Sequence, residues 1–279
     1  MSCDLHTHSR FSDGTCSPGQ LIEQAEKIGL KAIALTDHNS VSGLPEFWKA
    51  AEGKKVKAVP GAEFSTEYCG KELHMVGLFL PRSCWEAVTE RMEDFRKTKD
   101  RSMVSLVEKL NQAGYCIDYQ ELRSRTPDGY VNRAHIAAEL TRKGYTESIS
   151  AAFSGLLNPG LGFYEPPKRP DVFETMTWIR SLGGVAVLAH PFLNLRETEL
   201  REFLQKGRPD AMETVYTTYD AQTTELAFRI AEEYGLLCSG GSDFHGANKP
   251  DIFIGTGRGN LRVPDEFYDR LKALADSRQ

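Results

Sequence analysis

Two rhythms of apolar and polar residues run along the chain, one with helical spacing and one of short, unbroken apolar runs. Leu21, Ile22, Ala25 and Ile28 recur at helical spacing, which predicts a helix with one apolar face. Ser17-Pro18-Gly19-Gln20 supplies its start, with Ser17 as N-cap, Pro18 at the first helical position and Gln20 completing a capping box. Gly29 stops it. An extended opening segment before this helix and an apolar strand over 31–36 after it make a β-α-β unit. The rhythm repeats with a helix over 44–51 and a strand over 56–64. Residues 63–68 and 72–80 are both extended about a Cys69-Gly70-Lys71 turn, so a hairpin breaks the strict alternation. Strands over 184–189, 211–215 and 236–239 follow, with helices over 172–182, 197–205 and 221–234.

Between 85 and 157 the texture changes. Helix formers and charges dominate, Val104, Leu106, Val107 and Leu110 make a helical face, and 132–140 reads as another helix stopped near Gly144. The expectation is an α/β frame over 1–84 and 158–279 interrupted by a helical insertion over 85–157.

Composition narrows the function classes. A chain of 279 residues, 40% hydrophobic and 26% charged, has the make-up of an ordinary soluble protein. Its formal charge of −5 gives no general case for a basic surface that binds duplex nucleic acid. A local site for a short phosphate ligand stays open. Six scattered cysteines without a C-x-x-C pair, no secretory leader and no apolar run long enough to span a bilayer predict a cytoplasmic protein with reduced thiols and no membrane partner.

Placed on this map, the histidines and isolated carboxylates collect at strand ends. His6 and His8 end the opening segment, with Asp13 just beyond; Asp37-His38 follows the second strand; Glu63 ends the third. His74 lies on the return leg of the hairpin, His190 follows 184–189, and Asp243 and His245 follow the last strand through Gly240-Gly241-Ser242. Each has an ordinary alternative: His38 as turn chemistry beside Asp37 and Asn39, His74 as a core histidine, His190 as a strand-exit polar group, Asp243 as a turn cap. Parallel strands share one carboxyl end, and sites are built there. Carboxylates gathered on one face need cations to neutralise them. About nine nitrogen and oxygen donors exceed what one ion uses, so two or three divalent ions, Zn, Mn or Fe, are expected.

The motifs His6-Thr7-His8-Ser9-x-x-Ser12-Asp13-Gly14, Thr36-Asp37-His38-x-x-Val41-x-Gly43, Gly61-Ala62-Glu63-Phe64, Leu188-Ala189-His190-Pro191 and Gly241-Ser242-Asp243-x-His245, taken in order, resemble the PHP (polymerase and histidinol phosphatase) superfamily of metal-dependent phosphoesterases. The resemblance implies a distorted seven-stranded β/α barrel with a trinuclear site. In it His6, His8, Glu63 and Asp243 hold one ion, Glu63 bridges to a second held also by His74 and His190, and Asp13, His38 and His245 hold the third. The insertion and Asn132-Arg133-x-His135 look like the branch that acts on nucleoside 3′,5′-bisphosphates, where the insertion covers the site as a lid and the Arg-x-His pair faces substrate phosphate. Asn39 stands where that branch often has Asp, and 163–168 matches its exit from the insertion only loosely.

The reading is a hydrolase of a phosphate monoester, the 3′-phosphate of a nucleoside 3′,5′-bisphosphate. A hydroxide shared by the metal ions attacks, with Arg133 stabilising the phosphoryl oxygens and His135 or a water protonating the leaving group. One alternative is a 5′-3′ exonuclease on short single-stranded RNA, guided by Arg123, Arg125, Tyr130, Arg133 and Arg142. Another, of a different class, is a metal-binding regulatory domain with little turnover. Histidinol phosphatase ranks lower.

Overall fold

The computed structural model describes residues 2–126 and 131–279; Tyr130 lies outside them. In chain order the elements are β1 (Ser2–Asp4), α1 (Pro18–Lys27), β2 (Ala32–Leu35), α2 (Leu44–Ala50), β3 (Lys57–Tyr68) and β4 (Lys71–Leu78). Four helices follow, α3 (Trp85–Gln112), α4 (Tyr119–Ser124), α5 (Arg133–Arg142) and α6 (Ile149–Ser154). The alternation then resumes with α7 (Val172–Ser181), β5 (Val185–Leu188), α8 (Glu197–Lys206), β6 (Ala211–Tyr216), α9 (Ala221–Tyr234) and β7 (Leu237–Gly241), and ends in β8 (Val263–Pro264) and α10 (Asp265–Asp276).

The strands lie in the order β7-β6-β5-β4-β3-β2-β1-β8. Beyond β1 the chain runs on beside the end of β7: Leu5 donates its N–H to Gly240 O at 3.1 Å, and Asp243 donates to His6 O at 2.9 Å. Those bonds nearly close a barrel of β1 to β7, with β8 antiparallel on the edge of β1. The distortion is β4, antiparallel to both β3 and β5. Its reversal puts the start of β4, and therefore His74, at the end where the parallel strands finish.

Alternation along the strands separates two cores. Ala32, Ala34, Val59, Val76, Val185 and Val187 pack inside the barrel, whose lower end α10 closes with Phe267, Leu271 and Ala275. Ile33, Leu35, Ala186 and Leu188 face outward to the surrounding helices, including Leu21, Ile22 and Ala25 of α1. The capping box of Ser17 and Gln20 forms as expected. Ile28, expected on the buried face, is instead the C-cap and 51% exposed, because the chain turns away one residue after the last helical position. The second half of α3 and the helices α4 to α6 share a third core, in which Met103, Leu106, Leu110, Ile136 and Leu140 are fully buried and which runs on to Tyr164, while Val88 and Met92 of α3 and Val172, Met176 and Ile179 of α7 join the outer core of the barrel.

Candidate metal centre

Every candidate donor sits on the polar rim above the apolar interior of the barrel, and close approach of backbone makes that possible. A Cβ on Gly241 would lie 2.4 Å from the His6 Cβ, and one on Gly14 would lie 2.4 Å from the His8 carbonyl oxygen. Only glycine lets these loops pass. Asn39, His190 and Asp243 follow strands with φ of 50°, 29° and 55°. Non-glycine residues in that region cost on the order of 1 kcal/mol or more and cluster at functional sites. The Asn39 amide both accepts from the Ser65 N–H and donates to Ser65 Oγ at 3.0 Å. An aspartate there would lose the donor.

His6 Nε2, His8 Nε2, Glu63 Oε2 and Asp243 Oδ1 converge. His6 and His8 lie 3.1 Å apart, each is 3.2 to 3.3 Å from Glu63 Oε2, and Asp243 Oδ1 is 3.6 Å from His6 and 3.2 Å from His8. Ligands about 2 Å from one tetrahedral zinc ion stand roughly 3 Å apart, close to the spacing of these five pairs. The other Glu63 oxygen, Oε1, lies 2.7 Å from His74 Nδ1 and 3.0 Å from His190 Nε2. On the far side, Asp13 Oδ1 is 3.2 Å from His245 Nε2, and Asp13 Oδ2 is 3.7 Å from His38 Nε2. All nine candidates are thus in one cluster. Their donor atoms fall into four overlapping groups, with His8 beside Asp13, His38 and His245 as well as beside His6 and Asp243.

The electrostatics are those of a cation site. Burial pushes Glu63 up, but His38, His74 and His6 outweigh it and hold the carboxyl well below its ordinary value. Burial alone would neutralise the imidazoles as well. Hydrogen bonds to Asp243 and Glu63 nevertheless lift His8 to about 9, and Glu63 and Glu72 lift His74 to about 10. Burial pushes His38 down to about 3. A divalent ion would replace the protons that His8 and His74 hold. Among the described residues, Asp13 Oδ1, His38 Nδ1, Glu63 Oε2, His190 Nδ1 and Ser242 Oγ are buried without a hydrogen-bond partner. Buried polar atoms are usually satisfied, and four of these five orphans belong to candidate donors, which fits coordination to metal.

Several residues that shape the site carry no sequence motif. Glu213, wholly buried on β6, bonds His6 Nδ1 at 2.8 Å through one oxygen and accepts the His190 N–H at 2.7 Å through the other. A carboxylate in an apolar strand was the available signal. Asp243 Oδ2 accepts from Tyr216 at 2.7 Å and from Lys249 at 2.6 Å, which aims Oδ1 at the histidines. Asp37 accepts from Ser9 and Ser12 and fixes the loop leading to Asp13.

A cavity of about 150 Å³ opens over Asp13, His38 and His74, and its far wall carries Lys99, Arg133, Tyr164 and Arg169. The Arg133 guanidinium lies 4.5 Å over the Tyr164 ring and 5.2 Å over Phe153. His135 is not in this lining. Two positions further along α5, it takes the Asn132 N–H on Nδ1 at 3.2 Å, contacts the Ser12 backbone, and lines a neighbouring cavity of about 460 Å³ with Arg10, Arg125 and Arg142. The structure therefore separates Arg133 from His135, as residues two apart on a helix must be.

Comparison with known proteins bears on this geometry. The chain is 30% identical over 246 residues to a 5′-3′ exoribonuclease of Haemophilus influenzae, covering 87% of this chain and 89% of that one. It is 29% identical over 249 residues to a 3′,5′-nucleoside bisphosphate phosphatase of Chromobacterium violaceum, covering 87% and 86%. A solved structure from Bifidobacterium adolescentis, provisionally described as a metal-dependent phosphoesterase, superposes with a TM-score of 0.85 at 28% identity over 98% of this chain and 96% of that one. The model of the PHP domain matches residues 4–171, taking in the rim from His6 to His74. With more than half its length inside that match and a nearly closed barrel around the rim, the chain belongs to the PHP domain family of metal-dependent phosphoesterases.

Proposed function

We propose that this protein removes the 3′-phosphate from nucleoside 3′,5′-bisphosphates. The observation that carries the reading is a cavity with donor groups for metal on one wall and a cationic, aromatic wall of Arg133, Arg169, Lys99 and Tyr164 on the other. A phosphate monoester needs both. Two or three Mn, Zn or Fe ions would be held by His6, His8, Glu63 and Asp243, by Glu63, His74 and His190, and by Asp13, His38 and His245. Bound there, they would lower the pKa of a water and draw charge from phosphoryl oxygens.

The chain's own groups do the rest. Arg133, fixed between two rings, presents N–H donors to the phosphate oxygens. Glu213 keeps His6 in one tautomer and holds the His190 backbone. We read His135 as a positioning residue, because both sides of its ring are engaged with backbone near Ser12 and Asn132. The helices of 85–157 form the lid. Six free thiols suit a reducing compartment, which we take to be the cytoplasm; among the described residues no helix is long and apolar enough to cross a membrane.

The test is phosphate release from adenosine 3′,5′-bisphosphate by metal-loaded protein. Absence of release across Mn, Zn and Fe would sink the reading. A second reading, 5′-3′ exonuclease on short RNA, is favoured by the neighbouring cavity with Arg10, Arg125 and Arg142 and by the Haemophilus influenzae relative. A 5′-labelled oligoribonucleotide under matched conditions separates the two, since mononucleotide products favour the nuclease.

A further inference from the structure

A cavity of about 610 Å³ lies at the lower end of the barrel, between α2, α10 and the feet of β3 and β4. It shares no residue with the metal centre or with the cavity over the rim. β3 leaves it at Lys57 and reaches the rim at Glu63, about 20 Å of extended chain further on. Nothing in the chemistry assigned above uses this end of the molecule.

Rings form much of the wall: Trp48 of α2, Phe79 after β4, Trp85 at the start of α3 and Tyr268 of α10. Trp48 is 48% exposed. Trp85 spends its indole N–H on Leu80 O at 3.0 Å, so what it offers the cavity is ring surface rather than a donor. Phe79 stands at φ 57°, an unfavourable conformation for a bulky residue and one that concentrates at functional sites. Its ring lies 5.9 Å from that of Tyr268. Charge surrounds the rings. Lys54, Lys57 and Arg82 are exposed at the cavity, and among the described residues their side chains make no hydrogen bond or ion pair, Lys54 only feeling the charge of nearby Glu26. Lys272 is bound to Asp276 at 2.6 Å, which leaves Glu52 as the acidic side chain in the lining against those three cations.

Rings alone fit an apolar ligand and cations alone an inorganic anion; together they fit a flat aromatic anion. The volume falls within the roughly 300–1,000 Å³ of small-molecule sites. Base stacking on aromatic side chains uses a face that every nucleobase has, and a phosphate dianion complements cations that have no other partner. We propose that this cavity is a second site, for a nucleoside monophosphate, with the base against the rings and the phosphate among Lys54, Lys57 and Arg82. It is independent of the phosphatase reading, since no residue is shared.

The test is photolabelling of metal-loaded protein with 8-azidoadenosine 5′-monophosphate, mapped by peptide mass spectrometry. Label is expected in 48–60 and 79–85, and adenosine 5′-monophosphate should displace it at a concentration at least about tenfold below that of adenosine or inorganic phosphate. In Trp48→Leu that concentration should rise about tenfold. In Lys57→Glu, at an exposed lysine that keeps the test should Trp48→Leu unfold, the monophosphate should compete no better than adenosine. Label confined to the cavity over the rim, label at the lower end that excess nucleotide does not displace, or parental competition in Lys57→Glu and folded Trp48→Leu would overturn the site and leave the phosphatase reading untouched. A wild-type dimer in sedimentation that Trp48→Leu splits would give the cavity to a second copy of the chain, and overturns the proposal too.

Discussion

On the barrel side of the cavity the charged groups are buried and face partners brought in by other strands, as Glu63 faces histidines from β4, the β5 exit and the opening segment. On the helical side they stand partly exposed, Arg133 touches its carboxylate only at 3.9 Å, and Lys99 has no partner among the described residues. The rim is positioned by the hydrogen-bond ladder of the sheet, whose register allows little adjustment. The helical wall rests on a core of its own. Bond-breaking chemistry wants the first kind of support and substrate choice can use the second. Relatives named for different phosphate substrates are what such a division permits.

The comparison can be broken most directly at the rim. His6→Ala and Asp243→Asn are expected to lower phosphate release at least about a thousandfold, roughly 4 kcal/mol of barrier, with metal content by elemental analysis falling alongside. A folded His6→Ala protein working at the parental rate would overturn the ligand assignment. Separability of the two cores comes next. Leu106→Ala, fully buried among the helices, should cost about 2–5 kcal/mol in urea unfolding and leave metal content unchanged. Loss of metal in that variant would mean that wall and rim are one cooperative unit.

Smaller effects sharpen the picture. Glu213→Gln keeps the shape but not the charge behind His6, and should weaken metal binding by about 10–100-fold in competition with a chelator. Parental affinity would leave Glu213 a packing role only. Least of all, Asp210→Asn tests a clamp far from the cavity, where Arg180 and Arg278 bond the carboxylate at 2.9 and 2.7 Å. Burial pushes Asp210 up, but the Arg278 hydrogen bond, the Ala186 N–H and the charge of Arg180 hold it below its ordinary value. Stability from a lowered carboxyl is complete above its unfolded value of 3.8 and is lost as pH falls through the folded one. Near pH 6 the substitution should cost about 1–2 kcal/mol, and the difference from wild type should shrink toward pH 3. A gap independent of pH would assign the effect to packing.

Much of this protein could be read along the chain. Ser17 and Gln20 determine where α1 begins, the Cys69-Gly70-Lys71 turn determines the hairpin, and each of the nine candidate donors follows an extended segment or lies in that hairpin. Parallel strands share an end, so placing the donors at strand ends was enough to predict their meeting. Ile28 misled because helical periodicity continues past the residue at which the backbone leaves the helix. Glu213 behind His6, Lys249 on Asp243, and Arg169 on Glu72 were decided by tertiary structure alone. A buried charge takes whichever partner lies within about 3 Å in space, and separations such as the 207 residues from His6 to Glu213 leave no periodicity to read. Arg133 and His135 are the converse: two apart on a helix that the sequence predicts, they must face different surfaces, and tertiary structure decided only which cavity each one lines.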